Sequence, residues 1–244
     1  MNSAQRYIDE IKRLVGAVES TQKENIERAA ALIADALCGS GYVFTFGTGH
    51  SHILAEEIFY RAGGLVRVYP ILEDSLMLHR AAAASSQLER VTGLASVLLD
   101  DVDAIKMGGV MFLFSNSGCN TVAVEMAEEA RARGLKTVCI TNLTHAARSR
   151  SRHPEGHKLC EVCDVVIDNM GCYGDAAIRV GDATTGATST VIGSMILQAV
   201  VCRGIEITQE RGGKPEVFQS ANTVGGDEAN ETYIKQYKAS IRSL

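Results

Sequence analysis

The chain is expected to fold as an α/β protein, a three-layer αβα sandwich with a five-stranded parallel sheet entered by two leading helices. Three observations predict it. Short apolar runs rich in β-branched and aromatic residues recur at Tyr42–Phe46, Leu65–Tyr69, Val110–Phe114, Thr137–Thr141 and Val165–Asp168. Segments with helical apolar spacing lie between them. Glycine or hydroxyl-bearing residues follow the first and third runs at once, where a strand would turn into a helix. Strand, helix, strand at this spacing implies parallel pairing with right-handed crossovers.

Taken in order, Tyr7, Ile8, Ile11, Leu14 and Val15 place one apolar stripe on a helix from about Ala4 to Val18. Thr21 with Glu24 has the pattern of a capping box opening a second helix through Ile26, Ala30, Ile33 and Leu37, ended by Gly39 and Gly41. One of the two covers the sheet. The other has no sheet partner of its own and is assigned to a subunit interface. A helix from Ser51 to Ala62 follows the first strand and stops at Gly63-Gly64. Between the second and third strands come a helix near Leu76–Ala84 and a segment around Leu88–Leu99. Thr121–Arg133 is a helix stopped by Gly134, Thr188–Gly204 a long buried helix, and Glu228–Ser243 a helical tail. With no repeat and no composition break, residues 1–244 read as one domain: a helical extension over 1–40, a core over 41–204, and a loop and helix over 205–244.

With 244 residues, 46% hydrophobic and 22% charged, the chain suits a compact core. A net charge of −5 argues against a nucleic-acid surface. No uninterrupted apolar run reaches the roughly 18 residues of a membrane span. The N-terminal segment lacks the apolar core of a signal peptide. Seven cysteines, mostly within apolar stretches, read as reduced thiols of a cytoplasmic protein.

The first strand runs into Gly47-Thr48-Gly49-His50-Ser51-His52, and the third into Ser115-Asn116-Ser117-Gly118-Cys119-Asn120-Thr121. Helix N-termini carry unpaired N–H groups and positive partial charge, hydroxyls add donors, and glycines admit close backbone approach. Two such turns at strand carboxyl ends in one sheet can hold one phosphorylated ligand between them. The dinucleotide pattern G-x-G-x-x-G fails, because His52 stands at its third glycine. The P-loop lysine motif is absent.

Gly47-Thr48-Gly49-His50-Ser51, followed by Ala55 and Arg61, resembles the first motif of sugar isomerase (SIS) domains. Ser115-Asn116-Ser117-Gly118 resembles their second motif, whose serines wrap a sugar phosphate. Thr188-Ser189, closing a hydroxyl-rich run before an apolar helix, resembles the third. The likeness runs from about Ala4 to Arg203 and is nearest to SIS proteins described as phosphosugar or phosphoheptose isomerases. It implies the flavodoxin-like sheet, a dimer or tetramer, and a phosphosugar in a crevice near the subunit interface. The implied binding residues are Gly47, Thr48, Gly49, Ser51, Ser115, Asn116, Ser117, Gly118, Asn120, Thr121, Thr188 and Ser189. Two departures stand out. Asn120 and Val122 replace the usual threonine and acidic residue after the second motif, and Glu57 and Arg61 replace the His-then-Glu pair of phosphoheptose isomerases.

An enzyme of this kind would isomerise a sugar phosphate between aldose and ketose through an enediol, which needs a base at the carbon acid and an acid for ring opening. Glu73, which follows the second strand, is the first choice as base, with His79 or His52 assisting. The competing reading of Glu73-Asp74-Ser75 is a helix cap. His153, His157, Cys160 and Cys163 have zinc-ligand types and spacing. Leu159, Cys160, Val162 and Cys163 also fit an apolar stripe. The reading adopted therefore expects no metal and no cofactor, and leaves the metal question open. Arg148, Arg150 and Arg152 form a solvated loop that can also steer an anion. The rival functions are a non-catalytic sugar-phosphate sensor, and a deaminase or lyase of amino-sugar or ether-bearing phosphates on the same fold.

Overall fold

The computed structural model describes residues 1–244. Five parallel strands form the central sheet: β1 (Tyr42–Gly47), β2 (Val68–Ile71), β3 (Gly109–Phe114), β4 (Lys136–Thr141) and β5 (Val165–Asp168), in spatial order β2-β1-β3-β4-β5. Side chains alternate between the two faces, and both faces are covered. Val43, Val68, Val110, Phe112, Val138 and Ile167 pack against α2 (Lys23–Cys38), α3 (His52–Glu57) and α9 (Ser189–Glu210). Phe44, Phe46, Met111, Leu113 and Cys139 pack against α5 (Leu94–Asp100), α6 (Thr121–Ala132) and α8 (Leu159–Val162), while α4 (Leu78–Leu88) follows β2 and α7 (Leu143–Arg148) follows β4. Burial on both faces is why these strands read as continuous apolar runs rather than alternating ones. The apolar helix α9 has the length and composition of a membrane span, but Ile192, Ile196, Leu197, Val200 and Val201 place it in this core.

The five strands match the expected architecture, with local shifts. The second strand lies further along than the run Leu65–Tyr69. The backbone of Leu65 and Val66 pairs instead with Glu216 and Val217. Pro70 is tolerated in β2 because that strand is at the sheet edge. The helix after β1 stops at Glu57, well short of Ala62. The chain turns through Tyr60, whose backbone is left-handed (φ 42°) and whose ring meets Phe218 edge-on. The tail helix α10 spans Gly226–Tyr237, and Ile241 beyond it is fully buried.

The leading helix α1 (Ser3–Thr21) has a partner within the chain. Leu14 and Val18 enter the core, and the Tyr7 hydroxyl donates to the Ala187 carbonyl at 2.6 Å. That carbonyl ends a hairpin of β6 (Ala176–Val180) and β7 (Ala183–Ala187), a segment to which the sequence analysis assigns no element. Its strands are mostly alanine, threonine and glycine on a largely exposed ribbon, so no apolar alternation marks them.

One buried cation holds the carboxyl end of α2. The Arg67 guanidinium donates to the carbonyls of Leu37 (2.5 Å), Gly39 (2.9 Å) and Gly41 (3.0 Å). The carbonyls of Leu37 and Gly39 are ones that the helix terminus leaves without partners, and that of Gly41 lies in the turn into β1. Arg67 also pairs with Glu216 at 3.4 Å, and the Tyr237 hydroxyl donates to the same carboxylate at 2.6 Å. Burial and that carboxylate hold the Tyr237 phenol far above its ordinary range. The C-terminal segment is thereby tied to the start of the sheet.

Candidate functional site

In the order β2-β1-β3-β4-β5 the chain reverses direction across the sheet between β1 and β3, and a crevice opens beyond their carboxyl ends. Three loops meet there. One cleft is lined by His50 and Ser51 after β1, Ser115 and Asn116 after β3, and Ser189 and Thr190 at the start of α9, with Asn169 closing it. All three hydroxyl-bearing segments singled out in the sequence therefore share one wall-to-wall space. It has room for only about 20 Å³, enough for one water-sized group.

The backbone of these loops depends on two glycines. A Cβ at Gly47 would lie 2.4 Å from the Ser51 carbonyl oxygen, so the turn that follows β1 packs directly on that residue. Gly118 is left-handed (φ 62°), and a Cβ there would meet the Thr141 hydroxyl at 3.0 Å.

The serine hydroxyls order their own loop. Ser115 Oγ accepts from the Gly118 amide at 3.1 Å, and Ser117 Oγ accepts from the Cys119 amide at 3.4 Å. Each hydroxyl keeps its proton to donate to an anion. Three carboxamides brace the cleft floor. Asn169 Nδ2 donates to Asn116 Oδ1 at 2.8 Å, and Asn142 Nδ2 donates to Asn169 Oδ1 at 3.1 Å. This chain links the ends of β3, β5 and β4. Neither Asn142 nor Asn169 was singled out in the sequence; the available signal was an asparagine directly after the fourth and fifth strands.

Several expected binding residues are engaged elsewhere. Thr48 Oγ1 donates to Glu89 Oε2 at 2.7 Å. Asn120 Oδ1 accepts from Arg152 at 2.7 Å, and Thr121 Oγ1 donates to the Arg152 carbonyl at 2.9 Å. Those two anchor the arginine-bearing segment rather than line the cleft. At the start of α9, Asp175 Oδ1 accepts from the amides of Thr188 (3.0 Å) and Ser189 (2.9 Å), and Asp175 Oδ2 accepts from the Ser189 hydroxyl. The chain's own carboxylate occupies that helix terminus.

Of the three candidate acid–base residues, two come together. The rings of His52 and His79 lie 6.4 Å apart, edge to face, beside the first loop. His52 is buried, its Nδ1 in contact with the Gly49 carbonyl. Glu73 sits apart from them. Its carboxylate accepts from the amide (3.1 Å) and hydroxyl (2.7 Å) of Ser75, the capping geometry, and it lines a separate recess beside β2 with Asp74, Arg80 and Arg242. Glu89, not foreseen, is the carboxylate attached to the first motif through Thr48.

A second, wider recess of about 800 Å³ adjoins the second motif at Ser117. Arg148, Arg150 and Arg152 line it together with His145 and Tyr173, so the arginine-rich stretch forms a basic wall beside the serine loop. Arg148 lies over the Tyr173 ring, 5.7 Å from its centre. Cys119 lies under this loop, fully buried, and burial raises its thiol pKa, which disfavours a nucleophilic thiolate.

Sheet order and the loops converging at the β1/β3 switch point define a doubly wound α/β protein, and the crevice beyond the strand ends is where such a fold offers room for a ligand. The SIS domain profile matches residues 6–142, and the chain belongs to the SIS-domain family. Similar chains include a UPF0309 protein of Geobacillus thermodenitrificans, 42% identical over 98% of this chain and 96% of its own length. A UPF0309 protein of Listeria innocua is 40% identical over 98% and 97%. Among solved structures, phosphoheptose isomerases of Neisseria gonorrhoeae and Francisella tularensis have TM-scores of 0.53 and 0.51 with 16% identity. The matches cover 84% and 86% of this chain and 97% and 100% of those. At that identity the likeness is one of fold.

Proposed function

We propose that the protein binds a phosphorylated sugar with its phosphate at the mouth of the cleft against Ser51 and Ser115, and isomerises it between aldose and ketose. One observation carries the reading: the three hydroxyl-bearing loops line one cleft at the switch point of a SIS-type sheet. The phosphoheptose isomerases of the same fold are consistent with this ligand class. The basic wall beside Ser117 adds the charge that attracts a phosphate. In the reaction a base removes the proton from the carbon next to the carbonyl, and the enediol that forms takes a proton at the neighbouring carbon. Glu89 is the better-placed base, because its hydrogen-bond partner Thr48 belongs to the first loop. Glu73 is the alternative once released from Ser75. His52 and His79 supply the acid for ring opening. The functional form is a homo-oligomer, for which the exposed Ile8 and Val15 on α1 offer apolar contact.

A sensor without chemistry is the second reading, favoured by one feature: no carboxylate lines the cleft itself. Thermal-shift titration with hexose, heptose and amino-sugar phosphates, followed by proton exchange at C2 in deuterated water, separates the two. Stabilisation with exchange that Glu89→Gln abolishes supports the isomerase; stabilisation without exchange supports the sensor. Ser51→Ala and Ser115→Ala should each weaken binding about ten-fold or more, the size of a hydrogen bond to a charged group. Unchanged binding in both variants would exclude this site.

A further inference from the structure

Outside the cleft, one cluster of metal-ligating side chains is left unexplained by the sugar-phosphate reading. His153 Nε2 lies 3.3 Å from Glu128 Oε2, and His157 Nδ1 lies 2.7 Å from Glu128 Oε1. The two imidazole rings are stacked, 5.4 Å apart and 11° from parallel. One ligand atom from each of the three residues falls within 4.8 Å of the others. We propose that Glu128, His153 and His157 form a zinc site that clamps the segment carrying the three arginines onto α6.

The ligand types and the His153–Glu128 separation fit a cation, for which one of the two near-parallel imidazoles turns to aim its lone pair at the shared point. Two ligands on one tetrahedral zinc, each about 2.0–2.1 Å from it, are separated by about 3.4 Å. The His153–Glu128 separation has that value and is long for a charged hydrogen bond, which is about 2.7–2.9 Å. The His157–Glu128 pair opens to it with a small shift of the carboxylate. His153 is almost wholly buried, its side chain 6% exposed, yet its Nδ1 has no partner and its Nε2 has only this long contact. Hydrogen bonding therefore leaves much of the cost of burying that imidazole unrecovered. A cation bound at Nε2 would replace the long contact with Glu128 by a ligand bond and hold the ring proton on Nδ1. Two histidines and a glutamate are a ligand set that zinc uses with a fourth position left open.

The location gives the site a consequence. Glu128 is on α6, whereas His153 and His157 flank a turn closed by the Gly156 amide donating to the His153 carbonyl at 2.9 Å. The same segment is tied to the second motif, Arg152 through its amide to the Cys119 carbonyl and Leu159 through its amide to the Gly118 carbonyl, each at 2.9 Å. His153 also lines the basic recess. A metal held here fixes Arg148, Arg150 and Arg152 beside Ser117. Cys160 and Cys163, zinc-type ligands in the sequence, play no part. Cys163 contacts Cys139 instead, and that contact, together with burial, keeps the Cys139 thiol protonated.

The test is a zinc titration of the full chain, stripped of metal by chelator dialysis, in competition with a chromophoric chelator. The proposal expects one zinc per chain, with affinity falling at least about 100-fold in Glu128→Gln and His157→Ala. Both residues are partly exposed, so these variants should fold even if His153→Ala does not, and circular dichroism checks this. Cys160→Ser/Cys163→Ser should bind as the parent does. Cobalt loading should give ligand-field bands without thiolate charge transfer. Failure to bind one zinc per chain, equal affinity in Glu128→Gln and His157→Ala, or thiolate bands that vanish with the cysteines would overturn it. None of these results depends on the sugar-phosphate reading.

Discussion

Asp175 caps α9 through Ser189, accepting from its amide at 2.9 Å with one oxygen and from its hydroxyl with the other. A carboxylate at this position does what a bound anion would do for the helix dipole and the first-turn amides. Asp175→Ala should lower stability by about 1 kcal/mol. In a chain of this size that is about 2–4 °C in the thermal midpoint. The same variant should bind sugar phosphate about two- to five-fold more tightly, because one screened negative charge is removed from behind Ser189, which lines the cleft. Calorimetric titration beside a thermal melt reads both. Lower stability with unchanged or weaker affinity would show that the α9 terminus is a structural cap alone.

Arg67 illustrates a buried charge held by carbonyls rather than by one carboxylate. Removing it strands the carbonyls of Leu37, Gly39 and Gly41 and leaves Glu216 without its cation. Arg67→Met should therefore cost about 3–5 kcal/mol, the range for breaking a buried ion pair on one side. Chemical denaturation should show the midpoint falling while the slope is unchanged. Arg67→Lys should recover little, since one ammonium does not reproduce the fork of donors.

Much of this architecture was legible because the strands are buried on both faces, so Tyr42–Phe46 and Val110–Phe114 announce themselves as apolar runs. The β6–β7 ribbon was not legible, because of its strand residues only Ile178 is buried and the rest leave no apolar alternation to read. The three motifs of the cleft were visible as local clusters of glycine and hydroxyls. What each hydroxyl does was hidden, since Thr48 answers to Glu89 and Ser189 to Asp175, partners set by the fold rather than by spacing. Glu73 shows the reverse: its local pattern suggested both a base and a cap, and the cap is the geometry observed.

Gly118 is tested by substitution. Its left-handed backbone disfavours any Cβ, and the nearest obstacle is the Thr141 hydroxyl at 3.0 Å. Gly118→Ala should destabilise the chain by about 1–2 kcal/mol from the backbone alone. It should also displace the Ser115 and Ser117 hydroxyls, so that phosphosugar binding falls by more than the stability change implies. Adding Thr141→Ser removes a methyl but keeps the hydroxyl, and should rescue neither. Adding Thr141→Ala removes the obstacle and should restore binding but not the backbone cost.

His145 links pH to the segment that carries Asp175. Its Nδ1 accepts from the Gly174 amide at 3.3 Å, which requires that nitrogen to be unprotonated. Burial against the ring of Tyr173, 4.9 Å away, lowers its pKa below the ordinary value of 6.5. The folded state thus binds this proton less readily than the unfolded chain. The contribution to stability is complete above about pH 6.5 and is lost as pH falls from there through the depressed folded-state value. Proton NMR of the His145 ring should show a midpoint below 6.5. Hydrogen exchange at Gly174 should quicken over the same range, and both effects should vanish in His145→Gln. A midpoint at or above 6.5, or exchange at Gly174 indifferent to pH once the intrinsic rate is removed, would separate His145 from the cap on α9.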